Sequence, residues 1–339
     1  MSQSWHRLPW QDHLWQQMVE RDQKDNLAHA YLLRGMPGVG KLQFARSFAS
    51  YLLCLSPIDG EACGRCKECE LLLAGTHPDI VIVEPDDPGR PIKIDRIREL
   101  NEFAHKTAQQ GGRRVIIINP AEAMNVNASN ALLKCLEEPG EDTLYLLISA
   151  RAGDMLPTIR SRCQQLTFTC PDKGVALDWL QRELENPADA SDLLDMVAGA
   201  PLEAARFARE GVPETRRKLS EGVKALLKGQ VTPVELAKDW QGADLPQILA
   251  WLSSWLDDAA KLGLTPGTGS SDDAADSLNL RNRDLSKMLG YIAGKTDVRI
   301  IVESRDWLLK QRQSLLGGGN LNTQLLMESV FCRLLDLIL

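Results

Sequence analysis

The chain has 339 residues, of which 44% are hydrophobic, enough to build cores for two or three domains. Its 39 Lys and Arg against 46 Asp and Glu give a net charge of −7, which excludes a surface that wraps nucleic acid throughout but not a local basic patch. No apolar run is long enough to cross a membrane, and the start lacks the basic-then-apolar order of a signal peptide. We therefore expect a cytoplasmic protein whose eight cysteines stay reduced.

A glycine loop is the first motif along the chain. After a predicted surface helix at 10–21, the apolar run 30–33 is followed by GMPGVGKL at 35–42 and then by a run with helical periodicity. Strand, glycine loop and helix in that order are typical of a phosphate-binding P-loop, in which backbone N–H groups at a helix N-terminus hold an anion. The residues that match are Gly35, Gly38, Gly40 and Lys41. Leu42 stands where Ser or Thr would bind Mg²⁺, so the metal ligand is missing.

Four cysteines follow the predicted P-loop helix. Cys63, Cys66 and Cys69 are separated by two residues each, and Cys54 lies nine positions before Cys63. Four thiolates in a reducing compartment suit one tetrahedral Zn²⁺, and with no open coordination position implied the zinc is structural. The alternatives are small unmetallated loop residues or redox chemistry of a Cys-x-x-Cys pair, which leaves the fourth cysteine unexplained. We predict a zinc module at 54–69.

Two further strands are predicted at 80–84 and 115–118, with a helix at 94–104 between them. In P-loop NTPases such a strand ends in an Asp that supports Mg²⁺, often followed by a Glu that polarises water. Here the strand ends in Asn119-Pro120, so a second requirement for hydrolysis fails independently of Leu42. Glu122, beyond the proline, is interpreted as an exposed residue at a helix entry.

The stretch 127–150 (NASNALLKCLEEPGEDTLYLLISA) carries the family resemblance. It predicts a helix that is stopped by Pro139-Gly140, followed by a buried strand at 144–148. Together with LPTIRSRC at 156–163, this string resembles the clamp-loader branch of the AAA+ superfamily. The resemblance is strong over residues 1–210 and rests beyond that on helical character alone.

The resemblance implies a role for Arg162. In this family Ser-Arg-Cys carries the arginine finger, which projects toward the ATP of a neighbouring subunit and can accelerate phosphoryl transfer by roughly 10³ to 10⁵. From the residues alone, the preferred interpretation of Arg162 is a surface arginine in the turn before a strand at 164–168, and the resemblance favours the finger instead. Arg160 is interpreted as a salt-bridged or solvated residue.

A third part of an ATPase site is also missing. Residues 199–205 (GAPLEAA) resemble the sensor-2 motif, in which active relatives place an arginine on the nucleotide, and here Leu202 or Glu203 stands there. We therefore expect no ATP hydrolysis, with nucleotide binding at Lys41 weak or absent.

The predicted fold class is α/β, with a parallel-sheet AAA+ domain at 1–168 that contains the zinc module. A three-helix lid follows at 169–211 and an α-helical collar at 212–339, interrupted by a small, polar loop at 265–274. In clamp loaders the collar joins five subunits in a ring. The alternative is a bundle whose apolar faces are all internal.

The resemblance implies a non-hydrolysing clamp-loader subunit within a DNA polymerase holoenzyme. Its partners would be the gamma and tau ATPase subunits and a delta subunit in a pentameric ring, with the sliding clamp and primer-template DNA reached through the complex. Two alternatives stay open. One is an autonomous AAA+ ATPase. The other is a zinc-dependent nucleic-acid binding module, for which Arg65 and Lys67 offer few charges.

Overall fold

The computed structural model describes residues 5–87, 89–110, 112–264, 278, 280–316 and 322–338. The chain divides into two compact units, one comprising Met1–Pro187 with Gly199–Ala204 and the other Ala188–Ala198 with Ala205–Leu339. The domain boundaries predicted after residues 168 and 211 stay predictions. Each unit is described by itself.

A five-stranded parallel sheet forms the centre of the first unit. Its strands are β1 (Ala30–Arg34), β2 (Ile80–Val83), β3 (Arg114–Ile118), β4 (Thr143–Ser149) and β5 (Gln164–Thr167). They lie in the order β2-β3-β4-β1-β5, and every pairing is parallel. Strands β3 and β4 are buried along their whole length, as expected for parallel strands covered on both faces. The predicted parallel α/β class is confirmed.

Helices connect these strands and cover the sheet. They are α1 (Asp12–Gln23), α2 (Lys41–Leu53), α3 (Lys67–Leu73), α4 (Ile94–Ala104), α5 (Val126–Glu137), α6 (Pro157–Arg160) and α7 (Lys173–Glu183). The short helices α3 and α6 were not expected from sequence periodicity. Asn125 caps α5, because its side chain accepts a hydrogen bond from the backbone N–H of Ala128 at 2.8 Å.

Two apolar layers hold the sheet and helices together. One consists of alternate strand residues such as Leu32 and Ile116 packed with Ile97 of α4 and Leu132 of α5. The other contains an aromatic cluster in which the Trp15, Phe44 and Phe48 rings lie 5.6 to 6.2 Å apart. The aromatic cluster includes Phe44 and Phe48 of α2, the helix that follows the glycine loop.

In the second unit, all regular elements of the described residues are helical. They are α8 (Ala190–Met196), the later part of α9 (Pro201–Arg209), α10 (Val212–Leu227), α11 (Pro233–Lys238), α12 (Leu245–Leu264), α13 (Ser286–Lys295), α14 (Val298–Leu316) and α15 (Thr323–Asp336). Helix α12 packs against α13 and α14, and α11 packs against α15. The fully buried residues Leu252, Ile301 and Phe331 belong to their common core. The helical character predicted for this region is confirmed.

The loop predicted at 265–274 lies outside the described residues. None of the helices that the structure describes combines the length and hydropathy needed to cross a bilayer.

Candidate functional site

The glycine loop adopts the strand-to-helix turn that its sequence predicts. It follows β1 directly, and the N–H of Gly35 donates to the carbonyl of Ser149 at 3.3 Å, which ties the loop to the end of β4. Gly38 and Gly40 have φ angles of 77° and 91°, in the left-handed region that favours glycine. Helix α2 begins at Lys41. The structure therefore brings together the four residues assigned to the P-loop.

The Lys41 ammonium is engaged by its own loop. Its Nζ donates to the carbonyls of Gly35 at 2.6 Å and Met36 at 2.7 Å. The residue is only 6% exposed. Burial lowers the pKa of Lys41 to about 8, and the nearby charge of Glu122 opposes that shift. Two of the three hydrogens with which this lysine could hold a phosphate are therefore already bonded to carbonyl oxygens.

The segment before α1 contacts the same loop. The side-chain amide of Gln11 donates to the carbonyl of Gly40 at 2.8 Å, and the indole N–H of Trp10 donates to the carbonyl of Val39 at 3.0 Å. A Cβ on Gly40 would lie 2.4 Å from Leu8 Cδ1, so the two segments are in close contact. Sequence reasoning missed these residues, because no motif marks a glutamine that packs on a loop 29 positions away.

The first turn of α9 contacts the loop through Gly38. The N–H of Leu202 donates to the carbonyl of Gly38 at 3.1 Å. A Cβ on Gly38 would lie 2.5 Å from the Cβ of Glu203, so no larger residue fits there. Leu202 and Glu203, predicted to stand where active relatives place an arginine, are thus packed against the loop.

Neither Asn119 nor Pro120, the two residues that follow β3, offers a carboxylate to the glycine loop. The side chain of Asn119 donates to Glu84 Oε1 at 2.9 Å, at the end of the neighbouring strand β2. Glu122 is half-buried, and its Oε1 accepts the backbone N–H groups of Ala150 at 3.0 Å and Arg151 at 3.2 Å. The prediction that Glu122 is simply exposed was wrong, because the 3₁₀ turn Ala121–Ala123 carries it to the end of β4.

The four cysteines of the predicted zinc module are clustered. The Sγ atoms of Cys54, Cys63, Cys66 and Cys69 lie within 4.8 Å of one another. The distance between Cys54 Sγ and Cys66 Sγ is 3.9 Å, and a tetrahedral Zn²⁺ with Zn–S bonds of about 2.3 Å separates its sulfurs by about 3.8 Å. The donor set and spacing therefore fit a closed tetrahedral site.

The cysteines differ in their surroundings. Cys54 and Cys69 are buried, and burial raises the pKa of both thiols. The backbone N–H of Arg65 and the Ser56 hydroxyl lower the pKa of Cys63 to about 6. Cys54 belongs to the cluster despite its distance in sequence, because its sulfur accepts the N–H of Cys63 at 3.2 Å.

A buried polar pair anchors the helix that carries Cys69. Glu68 on α3 is 3% exposed, and its Oε2 lies 3.0 Å from Nε2 of His77, which is 5% exposed. The other nitrogen of His77 accepts the N–H of Asp79 at 3.0 Å. Burial lowers the pKa of His77, while Glu68 and Asp79 oppose the shift. The cysteine cluster is thus fastened to the segment that leads into β2, a connection that the cysteine spacing alone does not reveal.

Arg162 lies at the other end of the sheet from the glycine loop. It follows α6 and precedes β5, and the register pairs Gln164 with Tyr31 at the beginning of β1. Its Nη2 lies 2.6 Å from Oε1 of Glu137, and its Nη1 donates to the carbonyl of Thr158 at 2.9 Å. The side chain is 36% exposed. Arg162 is therefore held by two contacts while part of its side chain remains exposed.

Family models match most of the chain. The model described as "DNA polymerase III, delta subunit" matches residues 10–172, and the one for the C-terminal part of that subunit matches residues 213–336. The DNA polymerase III subunit delta' of Pseudomonas aeruginosa is 44% identical over 324 residues, which cover 95% of this chain and 95% of that protein. The delta' subunit of Escherichia coli K12 is 31% identical over 255 residues, 75% of this chain and 76% of that protein.

Among solved structures, a gamma-subunit-related protein of DNA polymerase III from Thermotoga maritima is similar, with a TM-score of 0.44 and 18% identity. The match covers 94% of this chain and 99% of that one.

Proposed function

Since the chain belongs to the family of DNA polymerase III delta-prime subunits, we propose that it is a clamp-loader subunit that does not hydrolyse ATP. It supplies Arg162 to the ATP bound by a neighbouring ATPase subunit during loading of the sliding clamp on primed DNA. The partners are the gamma and tau ATPase subunits and the delta subunit, joined through the helical region 212–339 in a pentameric ring. The clamp and the primer-template DNA are reached through that complex, in the cytoplasm.

This proposal rests on the positions of Arg162 and Lys41 at opposite ends of the sheet. Continued back by two residues, the β1–β5 register brings Arg162 level with the residue before β1, whereas the glycine loop follows the last residue of that strand. Six residues of strand at about 3.3 Å each separate the two levels by roughly 20 Å, far beyond the reach of one arginine side chain. Arg162 therefore cannot reach its own glycine loop, which supports a role on the nucleotide of a second subunit.

The surroundings of the glycine loop support the absence of hydrolysis. Leu42 offers no oxygen to Mg²⁺, and Asn119 takes the place of the acidic strand end. Lys41 is bonded to the carbonyls of Gly35 and Met36. We propose that the role of the loop is structural. It shapes the β1-to-α2 turn and binds nucleotide weakly or not at all.

We propose in addition that Cys54, Cys63, Cys66 and Cys69 hold a structural Zn²⁺. A bound zinc would cross-link the end of α2 to the start of α3, a region with little regular structure of its own. The four thiolates complete a tetrahedral shell and leave no position for substrate. The zinc module is thus a stabilising insertion in the α/β unit.

The test measures ATP hydrolysis first by the isolated chain and then by the reconstituted complex. The purified chain alone is expected to turn over no more ATP than its Lys41→Ala variant. In the complex reconstituted with its ATPase and delta subunits, Arg162→Ala is expected to leave assembly intact and to depress turnover at the adjoining site by about 10³-fold or more. Arg151→Ala, which removes another exposed arginine of the same unit, serves as the control.

Each proposed activity has an outcome that contradicts it. Steady turnover by the isolated chain that is lost with Lys41→Ala would establish an autonomous ATPase instead. Unchanged turnover in the complex that carries Arg162→Ala would show that Arg162 is an ordinary surface arginine.

A further inference from the structure

The second unit contains an open groove between α10 and α13. Its volume is about 580 Å³, and the residues that line it are Lys224, Leu227, Lys228, Lys287, Met288 and Tyr291. Leu227 and Met288 are buried and form the apolar floor, while Lys228, Lys287 and Tyr291 are exposed along its sides. We refer to this feature as the lysine groove.

The lysine groove is positively charged, whereas the whole chain has a net charge of −7. Helix α13 adds Lys295, eight residues after Lys287, so that Lys287, Tyr291 and Lys295 share one helix face. Within the described ranges, none of the four lysines Lys224, Lys228, Lys287 and Lys295 forms an ion pair with an acidic residue. Unpaired ammonium groups gathered around one groove attract a polyanion.

The exposed aromatic ring of Tyr291 indicates which kind of polyanion fits the lysine groove. Tyr291 is 48% exposed and lies about one helical turn from both Lys287 and Lys295 on α13. The Nζ of Lys295 lies 5.9 Å from the ring centroid, a cation–π distance. An open ring beside lysines matches the chemistry of single-stranded nucleic acid, whose phosphates need cations and whose unpaired bases stack on aromatic faces. A duplex and an acidic peptide present no unpaired base to Tyr291.

We propose that the lysine groove binds single-stranded nucleic acid, with phosphates on Lys224, Lys228, Lys287 and Lys295 and one base stacked on Tyr291. This goes beyond the arginine finger proposed above, because it gives the subunit a direct contact with nucleic acid in its helical region. It does not depend on a neighbouring subunit. The isolated chain therefore tests it without reference to Arg162 or to ATP.

The test is fluorescence anisotropy of a labelled dT20 oligonucleotide titrated with the full-length chain at several salt concentrations between about 50 and 200 mM. We expect a Kd between about 1 and 100 µM, in the range of sequence-independent binding. Lys228→Ala/Lys287→Ala is expected to weaken binding and to lower the slope of log K against log salt by about 1.4, or 0.7 for each lost phosphate contact. Tyr291→Ala is expected to weaken binding about fivefold or more, and Tyr291→Phe to leave it unchanged.

Matched controls separate the groove from general surface charge. Lys238→Ala/Lys310→Ala removes two exposed lysines that do not line the groove and should change neither Kd nor salt slope. A 20-bp duplex and a 20-residue polyglutamate are titrated in parallel and should bind more weakly than dT20. The proposal is wrong if dT20 does not bind, if Tyr291→Ala binds as well as the original chain, or if polyglutamate binds as tightly as dT20.

Discussion

Arg162, in the turn before β5, forms an ion pair with Glu137 at the end of α5, with Nη2 and Oε1 2.6 Å apart. Both side chains are partly exposed, at 36% and 51%, so the pair adds at most about 1 kcal/mol to folding. It does restrict the guanidinium, whose Nη1 also donates to the carbonyl of Thr158. We therefore expect Glu137 to position Arg162 for the role proposed above.

Replacement of Glu137 by Gln is the first test of this relationship. The change removes the charge that holds Nη2 but leaves the bond to Thr158, so Arg162 should become more mobile without being lost. In the reconstituted complex we expect ATP turnover at the adjoining site to fall about fivefold, which corresponds to about 1 kcal/mol. Because the exposed pair adds at most about 1 kcal/mol, the chain itself should unfold within about 4 °C of the original.

Glu138→Gln provides the matched control, because Glu138 is the adjacent exposed glutamate. It should leave ATP turnover unchanged. Equal turnover in the Glu137→Gln and Glu138→Gln complexes would show that Arg162 needs no help from Glu137.

The cysteine cluster predicts a measurable metal content. Elemental analysis of the protein purified without chelator should find close to one zinc per chain. Cys66→Ser should lose that zinc and unfold at lower temperature, because the region from Cys54 to Cys69 then lacks its cross-link. Cys332→Ser, which removes an exposed cysteine of the helical unit, should keep the metal. A folded original chain with no zinc would contradict the site.

The sequence predicted the framework of this molecule well, because its signals are local. The succession of strand, glycine loop and helix predicted the position of Lys41. The spacing of the cysteines predicted that Cys63, Cys66 and Cys69 lie together. Contacts between distant segments left no such signal: nothing near Gln11 indicates that its amide bonds to Gly40. The partner of Arg162 was hidden in the same way, since Glu137 lies 25 positions earlier, at the end of α5.

The packing around the glycine loop predicts that restoring the metal ligand does not restore ATP binding. Leu42→Thr supplies the missing hydroxyl. Gln11, Leu202 and Glu203 still contact the loop backbone, and Lys41 is still bonded to Gly35 and Met36. Isothermal titration with Mg-ATP should therefore give no measurable binding at about 1 mM nucleotide for this variant or for the original chain. Binding by Leu42→Thr in the micromolar range would show that Leu42 alone disabled the site.

The environment of Lys41 predicts an unusual titration. Burial lowers its pKa from 10.5 to about 8, and the negative charge of Glu122 counteracts that shift. NMR of lysine labelled with ¹³C at Cε should show one side chain that titrates near pH 8 and is absent from Lys41→Met. Glu122→Gln should move this midpoint lower, because the ammonium loses a favourable charge. Glu141→Gln, at an exposed position, should leave it in place.

The same shift makes stability depend on pH in a defined direction. Between pH 8 and 10.5 the unfolded chain holds the Lys41 proton while the folded chain has released it, so the free energy of unfolding rises with pH through that interval. The full effect is about 3 kcal/mol, and below pH 8 it contributes no further change. Denaturant unfolding at pH 7.5 and pH 10 measures it as the difference between the original chain and Lys41→Met, in which this titration is absent. A difference that stays constant between the two pH values would mean that Lys41 keeps an ordinary pKa and that burial does not disfavour its charge.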